Sequence, residues 1–381
     1  MKTSEKILIV LLTISIVLCC FGFLASCEKG DKVANITVTD MAGREIKFDK
    51  APEKVVCIGA GALRLYSYVG DMDKLYAVEE IEGSRTSGRV SLRAYQIAYE
   101  DKFRALLNDN KKAGAGGPAA QILNTEVLAA LQPDVIFSCL SLSDDELDAG
   151  EKAIGCPIVT LRYDEQKAFG QGVQQSMRII DTLCGKDNKA ETLIAYMEAL
   201  KADIATLSNG KTSKKLYLAC NSNWGVKGFL STAKNYPLFT ISNITNVMDG
   251  TGVTINNGYA DEESVITSGA ERILLDAGGL NVFKGEYEEE GGHLPTVLAT
   301  MPAFRDKEVY LMMPNNAYDA NVEMYFINAY YALSVAYDVE LDIRAKANEI
   351  TNAFLGKELY DDITIYGGYR KLNLPDVWPM A

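Results

Sequence analysis

The chain has 381 residues, 48% of them hydrophobic, which is enough apolar content for large cores and a length typical of two domains. It is acidic, with 51 Asp and Glu against 38 Lys and Arg and a formal net charge of −13. Because the sequence contains no basic run, we expect no nucleic-acid partner.

The first 26 residues have the pattern of a secretory signal. Lys2 and Lys6 precede an apolar run over 7–24, which matches the positive and hydrophobic regions of such a signal. The run ends at Leu24-Ala25-Ser26-Cys27, which resembles a lipobox, and we expect the Cys27 thiol to carry a lipid whose two acyl chains hold the protein on a membrane. An uncleaved anchor is the alternative, because the run is just long enough to span a bilayer. Both alternatives place the remaining chain outside the cytoplasm, after a polar tether at 27–35.

The cysteines indicate packing rather than metal binding. Five of the eight lie beyond Cys27, and Cys57, Cys139 and Cys220 sit in or at the end of apolar, strand-like runs. None has the CxxC spacing of a metal knuckle, so we expect thiols that pack as small hydrophobic side chains. The single histidine, His293, follows three glutamates and two glycines and is interpreted as a loop residue. No side-chain metal site is therefore predicted.

The first half of the mature chain predicts a hairpin followed by an α/β lobe. Residues 36–40 and 45–48 alternate apolar and polar side chains around a turn, which is typical of a β-hairpin. Short apolar runs then alternate with helical patterns, and this order predicts a parallel, doubly wound sheet. The predicted strands are 55–59, 75–78, 135–137 and 157–161, and the predicted helices are 63–69, 121–131 and 146–154. We place the N-terminal lobe at 36–167.

Two predicted helices at 168–210 form a bridge from this lobe to a second α/β lobe at 211–381. The second lobe has predicted strands at 216–220, 273–275 and 309–312. A helix at 321–337 is almost free of charge and is therefore expected to be buried. The sequence thus predicts an α/β protein with two parallel-sheet, Rossmann-like lobes that a long helix bridges.

Ligands of open α/β sheets bind beyond the carboxyl ends of the strands, so loops after the predicted strands supply the candidate contacts. The candidate ligand-binding residues are Arg64, Tyr66, Arg85, Arg93, Trp224, Asn316 and Tyr318. Arginine forks match carboxylate and catecholate oxygens, and the Trp224 ring offers a flat face to an aromatic ligand. The alternatives are solvated arginines and a Trp224 ring packed in the core.

Sequence patterns of nucleotide binding and of hydrolytic catalysis are absent. Gly59-Ala60-Gly61 begins like a dinucleotide loop, but Arg64 stands where that fingerprint needs its third glycine. The chain has no Gly-x-Ser-x-Gly elbow and no His-Glu-x-x-His motif, and a catalytic triad would depend on His293. We therefore expect a binding protein without enzymatic activity.

Several segments share their order and spacing with one family of binding proteins. They are 37–45, 54–58, 93–99, 128–136, Ala153-Ile154-Gly155-Cys156-Pro157-Ile158-Val159 and 346–360. Through them the chain resembles, across 36–374, the class III (cluster A) substrate-binding proteins of ABC importers, which handle ferric siderophores, haem and cobalamin. The resemblance implies a ligand cleft between the lobes and delivery of the ligand to a membrane permease with a cytoplasmic ATPase. We expect a monomer.

The ligand that the resemblance implies is an iron complex, a ferric siderophore-like chelate. A corrinoid such as cobalamin, or haem, is the alternative ligand, and a lipid-anchored sensor ectodomain is the alternative function. One position departs from the family pattern, because Arg64 stands where many relatives carry a Glu that docks on the permease. We therefore assign no docking residue to either lobe.

Overall fold

The computed structural model describes residues 35–83, 93–117, 122–222, 225–253, 258–289, 294 and 298–372. The strands are β1 (Ile36–Thr39), β2 (Glu45–Phe48), β3 (Val55–Ile58), β4 (Leu75–Ala77), β5 (Val135–Ser138), β6 (Ile158–Thr160), β7 (Lys215–Ala219), β8 (Ser231–Thr232), β9 (Thr245–Asn246), β10 (Gly258–Tyr259), β11 (Arg272–Asp276), β12 (Val309–Met312) and β13 (Arg370–Lys371). The helices are α1 (Ala62–Val69), α2 (Ala94–Ala98), α3 (Glu100–Asn108), α4 (Thr125–Leu131), α5 (Asp144–Ile154), α6 (Gln171–Cys184), α7 (Lys189–Ser208), α8 (Pro237–Ile241), α9 (Glu262–Thr267), α10 (Leu280–Glu288), α11 (Pro302–Arg305), α12 (Val322–Tyr337), α13 (Ile343–Leu355) and α14 (Tyr360–Ile363).

The first lobe is built on a four-stranded parallel sheet with the order β4-β3-β5-β6. Its strands are short apolar runs because helices cover both faces of the sheet. Val55 and Cys57 belong to the face that packs with α1 and α6, whereas Val56 and Ile58 belong to the face under α4 and α5. This alternation along β3 confirms the predicted doubly wound sheet.

The β1–β2 hairpin is fixed to the first sheet by Asp40, the residue after β1. The Asp40 carboxylate accepts hydrogen bonds from the backbone N–H groups of Ala42 and Arg44, both at 3.0 Å, and of Thr160 at 3.1 Å. The Arg44 guanidinium also pairs with this carboxylate at 2.8 Å. The hairpin predicted from alternation is therefore present, and its turn is held against the end of β6.

The second lobe has a five-stranded sheet with the order β13-β12-β11-β7-β9, in which β13 runs antiparallel at the edge. Strands β7, β11 and β12 run parallel and are largely buried, as their apolar runs predicted. A ribbon of β8 and β10 lies beside the carboxyl end of β7, where the Asn221 N–H donates to the Ser231 carbonyl at 3.0 Å.

Helices α6 and α7 connect the two sheets and pack against both lobes. Helix α6 packs on α1, and α7 packs on α6 and on α12 of the second lobe. The core continues from one lobe to the other, since the ring centroids of Tyr68 and Phe354 lie 5.0 Å apart and those of Phe169 and Phe326 lie 5.1 Å apart. Because of this shared core, Ile36–Ala381 forms one compact unit.

The five cysteines that follow Cys27 pack as free thiols. Cys57, Cys156, Cys184 and Cys220 are buried, and Cys139 is partly exposed. Burial raises the pKa of Cys156 and of Cys184 to about 12, so both thiols stay protonated at neutral pH. The signal segment lies outside the described residues, and within those residues no helix has the length and apolar character needed to cross a membrane.

Candidate ligand site between the lobes

The loop after β12 crosses from the second lobe to the carboxyl edge of the first sheet. We name residues 314–321 the crossing loop and the surface where it meets the first lobe the inter-lobe face. The crossing loop contacts Arg64 on α1, Glu79 after β4, Gly117 and Lys167. Because these contacts lie beyond the carboxyl ends of parallel strands, the inter-lobe face is where an open α/β fold binds ligands.

Arg64 is completely buried and holds the crossing loop. Its Nε donates to Asn321 Oδ1 at 3.1 Å, and its Nη1 donates to the carbonyl oxygens of Tyr318 at 3.0 Å and Ala320 at 3.1 Å. Its Nη2 donates to the Ala317 carbonyl. These donors serve acceptors inside the protein, so Arg64 is a clamp between the lobes with no exposed surface, and its predicted contact with a ligand stays a prediction.

Tyr318, a predicted ligand contact, lies on the inter-lobe face and reaches the first lobe. Its hydroxyl donates to Glu79 Oε2 at 2.8 Å and accepts from the Gly117 N–H at 3.0 Å. The φ angles of Tyr318 and Asp319 are 53° and 70°, in the left-handed region that non-glycine residues rarely adopt. Such strain persists only where the surroundings fix the backbone, and it clusters in functional loops.

Glu79 is a nearly buried carboxyl group at the centre of this contact, with 6% of its surface exposed. Its Oε1 accepts from the Gly59 N–H at 3.2 Å, while its Oε2 accepts from the Tyr318 hydroxyl. Burial raises the pKa of Glu79 to about 7, although both hydrogen bonds act in the opposite direction. At neutral pH, Glu79 is therefore protonated in a substantial fraction of molecules.

Two other predicted contacts lie inside the first lobe. Tyr66 is completely buried, and its hydroxyl donates to the Asp71 carbonyl at 2.6 Å. Arg93 is also buried and pairs with the buried carboxylate of Glu82 at 3.1 Å. Each side chain is enclosed by the lobe whose packing it supports, and the predicted ligand contacts of Tyr66 and Arg93 stay predictions.

The remaining predicted contacts are Asn316, Arg85 and Trp224. Asn316 is partly exposed on the crossing loop, and its Oδ1 accepts from the Tyr325 hydroxyl at 3.1 Å. Arg85 and Trp224 lie outside the described residues, as does His293, so their placements stay predictions. Among the side chains that the structure does describe, no group of three or more His, Cys, Asp and Glu could hold a metal ion.

The carboxyl edge of the second sheet is organised by Asp276 at the end of β11. Its Oδ2 accepts from the Ser222 N–H at 3.0 Å, and its Oδ1 accepts from the Gly278 N–H at 2.8 Å. Burial raises the pKa of Asp276 to about 6. A Cβ atom on Gly279 would lie 2.2 Å from the Lys227 carbonyl oxygen, so glycine permits the loop after β7 to pack closely on this edge.

Sequence reasoning missed several side chains at the carboxyl edges of the two sheets. Tyr163 follows β6 and is partly exposed, and Lys167 lies 3.7 Å from Asp319 of the crossing loop. Lys227 Nζ lies 5.5 Å from the centre of the Tyr259 ring, and Tyr259 is 60% exposed. The strand-end rule could have found Tyr163 and Lys227, whereas no local pattern marks Tyr259.

Two parallel-sheet lobes, a helical connection and an inter-lobe face at the strand ends define a two-lobed α/β solute-binding protein. The model of the periplasmic binding protein family matches residues 66–264, which is 199 of the 381 residues. The chain therefore belongs to the periplasmic binding protein family, whose members bind solutes outside the cytoplasm. No curated protein matches the chain.

Solved structures share the fold over most of the chain. The ABC transporter solute binding protein from Sulfurospirillum deleyianum is 17% identical, with 84% of this chain and 95% of that chain covered and a TM-score of 0.62. The molybdate-bound periplasmic binding protein MolA of Haemophilus influenzae is 14% identical, with 84% and 98% covered and a TM-score of 0.60. The periplasmic catecholate-siderophore binding protein VctP of Vibrio cholerae is 15% identical, with 78% and 99% covered and a TM-score of 0.53. These likenesses confirm the class III fold that the sequence segments predicted.

Proposed function

We propose that the protein is the solute receptor of an ABC importer and that it delivers its ligand to a membrane permease fed by a cytoplasmic ATPase. The inter-lobe face supports this proposal most directly, because the crossing loop of one lobe meets strand-end residues of the other. A solute that touches both lobes stabilises their closed arrangement, and a permease can then distinguish a loaded receptor from an empty one. We expect the receptor to act as a monomer.

The proposed ligand is an anionic iron complex of the ferric siderophore type. Partly exposed cationic and aromatic side chains at the carboxyl edges support it, namely Arg162, Tyr163 and Lys167 in the first lobe and Lys227 with the exposed Tyr259 in the second. Aromatic faces and cations suit the catecholate rings and negative charge of such a chelate. The fold itself accommodates different anions, since VctP is a catecholate-siderophore binding protein and MolA was solved with molybdate.

A lipid on Cys27 is proposed to hold the receptor on the outer side of the cell membrane. The signal pattern and the Leu24-Ala25-Ser26-Cys27 sequence support this anchor. Mass spectrometry of the protein purified from its membrane should find a mature chain that begins at Cys27 and carries acyl chains. A Cys27→Ala variant should lack these chains. A mature chain that begins elsewhere without lipid would contradict the anchor.

Fluorescence titration of residues 28–381 tests the ligand class. Trp224 and Trp378 supply the signal, and Trp378→Phe leaves Trp224 as the single reporter. Saturable quenching by a ferric catecholate siderophore would support the iron complex. A response to cobalamin alone, to haemin alone or to molybdate alone would replace it with that ligand. Silence from all four, in a chain with native circular dichroism, would contradict the chelate and favour the sensor function.

Lys227→Met is expected to weaken binding of the chelate about tenfold, because it removes a cation beside an exposed aromatic ring. Calorimetric titration measures the change. Lys211→Met is the matched control, since Lys211 is exposed and lies at the amino end of β7, whereas Lys227 follows the carboxyl end. Equal weakening by both variants would indicate a general charge effect, and unchanged affinity in Lys227→Met would remove Lys227 from the site.

A further inference from the structure

Glu286 on α10 holds the segment Lys227-Gly228-Phe229, which follows β7. Its Oε2 accepts a hydrogen bond from the Phe229 N–H at 2.9 Å, and a Cβ atom on Gly228 would lie 1.8 Å from its Oε1, so a side chain there would displace the carboxylate. We infer that Glu286 is a positioning residue, which fixes this segment so that the Lys227 ammonium faces the Tyr259 ring and is presented to an anionic ligand. The role in binding rests on the proposed function, whereas the position of Lys227 can be measured without a ligand.

Helix α10 supports this segment along one face. Positions 279, 283 and 286 are spaced by four and then three residues, which places them on one side of a helix. A Cβ atom on Gly279, just before α10, would lie 2.2 Å from the Lys227 carbonyl oxygen, so the helix begins in close contact with the segment. The Phe283 and Phe229 ring centroids lie 5.3 Å apart. Glu286 is therefore the third contact of one helix face with the same short segment.

The Tyr259 ring is held by the β8-β10 ribbon, which continues from the segment. The Ala260 N–H donates to the Leu230 carbonyl at 3.0 Å, so the ribbon stays beside the segment. Lys227 Nζ lies 5.5 Å from the centre of the Tyr259 ring, within the range of a cation–π contact. No carboxylate in the described part of the chain pairs with the Lys227 ammonium, which leaves its charge for an anionic ligand.

Removal of the Glu286 carboxylate would release this arrangement. Phe229 is 2% exposed, so its N–H lies away from water and would remain unpaired at a cost in free energy. We expect the segment to shift until water reaches this N–H, and the Lys227 ammonium then leaves the ring. A lysine that is already held in place loses less rotamer freedom when a ligand binds, so its release weakens binding. Glu286 therefore acts on the ligand through Lys227.

Nuclear magnetic resonance of ligand-free residues 28–381 tests the position of Lys227. Lysines that carry isotope-labelled dimethyl groups keep their charge, and the Lys227 signal is the one missing from Lys227→Met. The ring current of Tyr259 displaces this signal, so Tyr259→Leu should move it. Glu286→Ala should move the signal in the same direction, whereas Glu286→Gln should not, because the amide oxygen of glutamine still accepts from the Phe229 N–H.

Calorimetry with a ferric tricatecholate siderophore tests the role in binding. Glu286→Ala should weaken the affinity about fivefold, the order of the cost of ordering one long side chain. It should cause no further loss in Lys227→Met, because it acts through that lysine. Glu288→Ala is the matched control, since Glu288 lies on the same helix and pairs with Lys284 at 4.0 Å, so it should change neither the Lys227 signal nor the affinity.

An unmoved Lys227 signal in Glu286→Ala, or equal losses of affinity with and without Lys227, would overturn the inference. If the wild-type protein bound no chelate, the proposed function would fail, and the resonance experiment would still decide whether Glu286 positions Lys227.

Discussion

Arg64→Met is expected to lower the free energy of unfolding by about 4 kcal/mol. The substitution removes a completely buried guanidinium and leaves its four acceptors, which are Asn321 Oδ1 and three carbonyl oxygens of the crossing loop, without their donor. Buried acceptors that lose a charged donor recover no compensating hydrogen bonds with water. Urea denaturation followed by circular dichroism at neutral pH measures the loss.

Two further variants separate the clamp from a general effect of charge. Arg104→Met on α3 removes a 59% exposed side chain that pairs with Glu100 and Asp101 of the same helix, and it should cost less than about 1 kcal/mol. Arg64→Lys keeps the charge but loses the planar fork, so it should fall between wild type and Arg64→Met. If Arg64→Met cost no more than Arg104→Met, the clamp would contribute nothing to stability.

The strands could be predicted because strands buried on both faces consist almost entirely of apolar residues. Val55–Ile58 and Val135–Ser138 are short apolar runs between turns, and a run buried on both faces needs no other signal. Helix α12 is almost free of charge, which predicts burial, and nearly all of its residues are buried in the structure. The first residue of a helix was harder to predict. The helix predicted over 121–131 begins at Thr125, because the Asn124 side chain accepts a hydrogen bond from the Val127 N–H and caps the helix there.

The direction of each side chain in the first lobe was harder to predict. The strand-end rule correctly placed Arg64 and Tyr66 just beyond β3, but it does not say whether a side chain meets solvent. Every residue of α1 is buried, and Arg64 is its one charged residue. The scarcity of charge that indicated burial of α12 therefore applied to α1 as well.

The contact between Glu79 and Tyr318 could not be predicted, because it joins residues 239 positions apart in different lobes. The strand-end rule places each residue near an edge of its own sheet. The rule does not say which loop of the second lobe will contact which strand end of the first lobe. That pairing depends on how α7, α12 and α13 pack the lobes together, and packing of this kind leaves no periodic signal in the sequence.

The free energy of unfolding is expected to be about 3 kcal/mol higher at pH 5.5 than at pH 8. Burial raises the pKa of Glu79 from 4.5 to about 7 and that of Asp276 from 3.8 to about 6. A carboxyl group whose pKa is raised by folding stabilises the folded state below its unfolded pKa, and the contribution is lost as the pH rises through the folded value. Stability should therefore fall between pH 5.5 and 8, a range where carboxylates in unfolded chains are already ionised.

Urea denaturation at the two pH values measures this difference, and Glu79→Gln should remove about two thirds of it, since Asp276 still titrates. Glu80→Gln should leave the difference intact, because Glu80 is half exposed. The trend has a lower limit. Burial raises the pKa of Asp40, but hydrogen bonds from Arg44 and Thr160 lower that pKa by more. Stability should therefore fall again in strong acid, as Asp40 is protonated. Equal stability of the wild-type protein at pH 5.5 and 8 would show that Glu79 and Asp276 ionise as readily in the folded chain as in water.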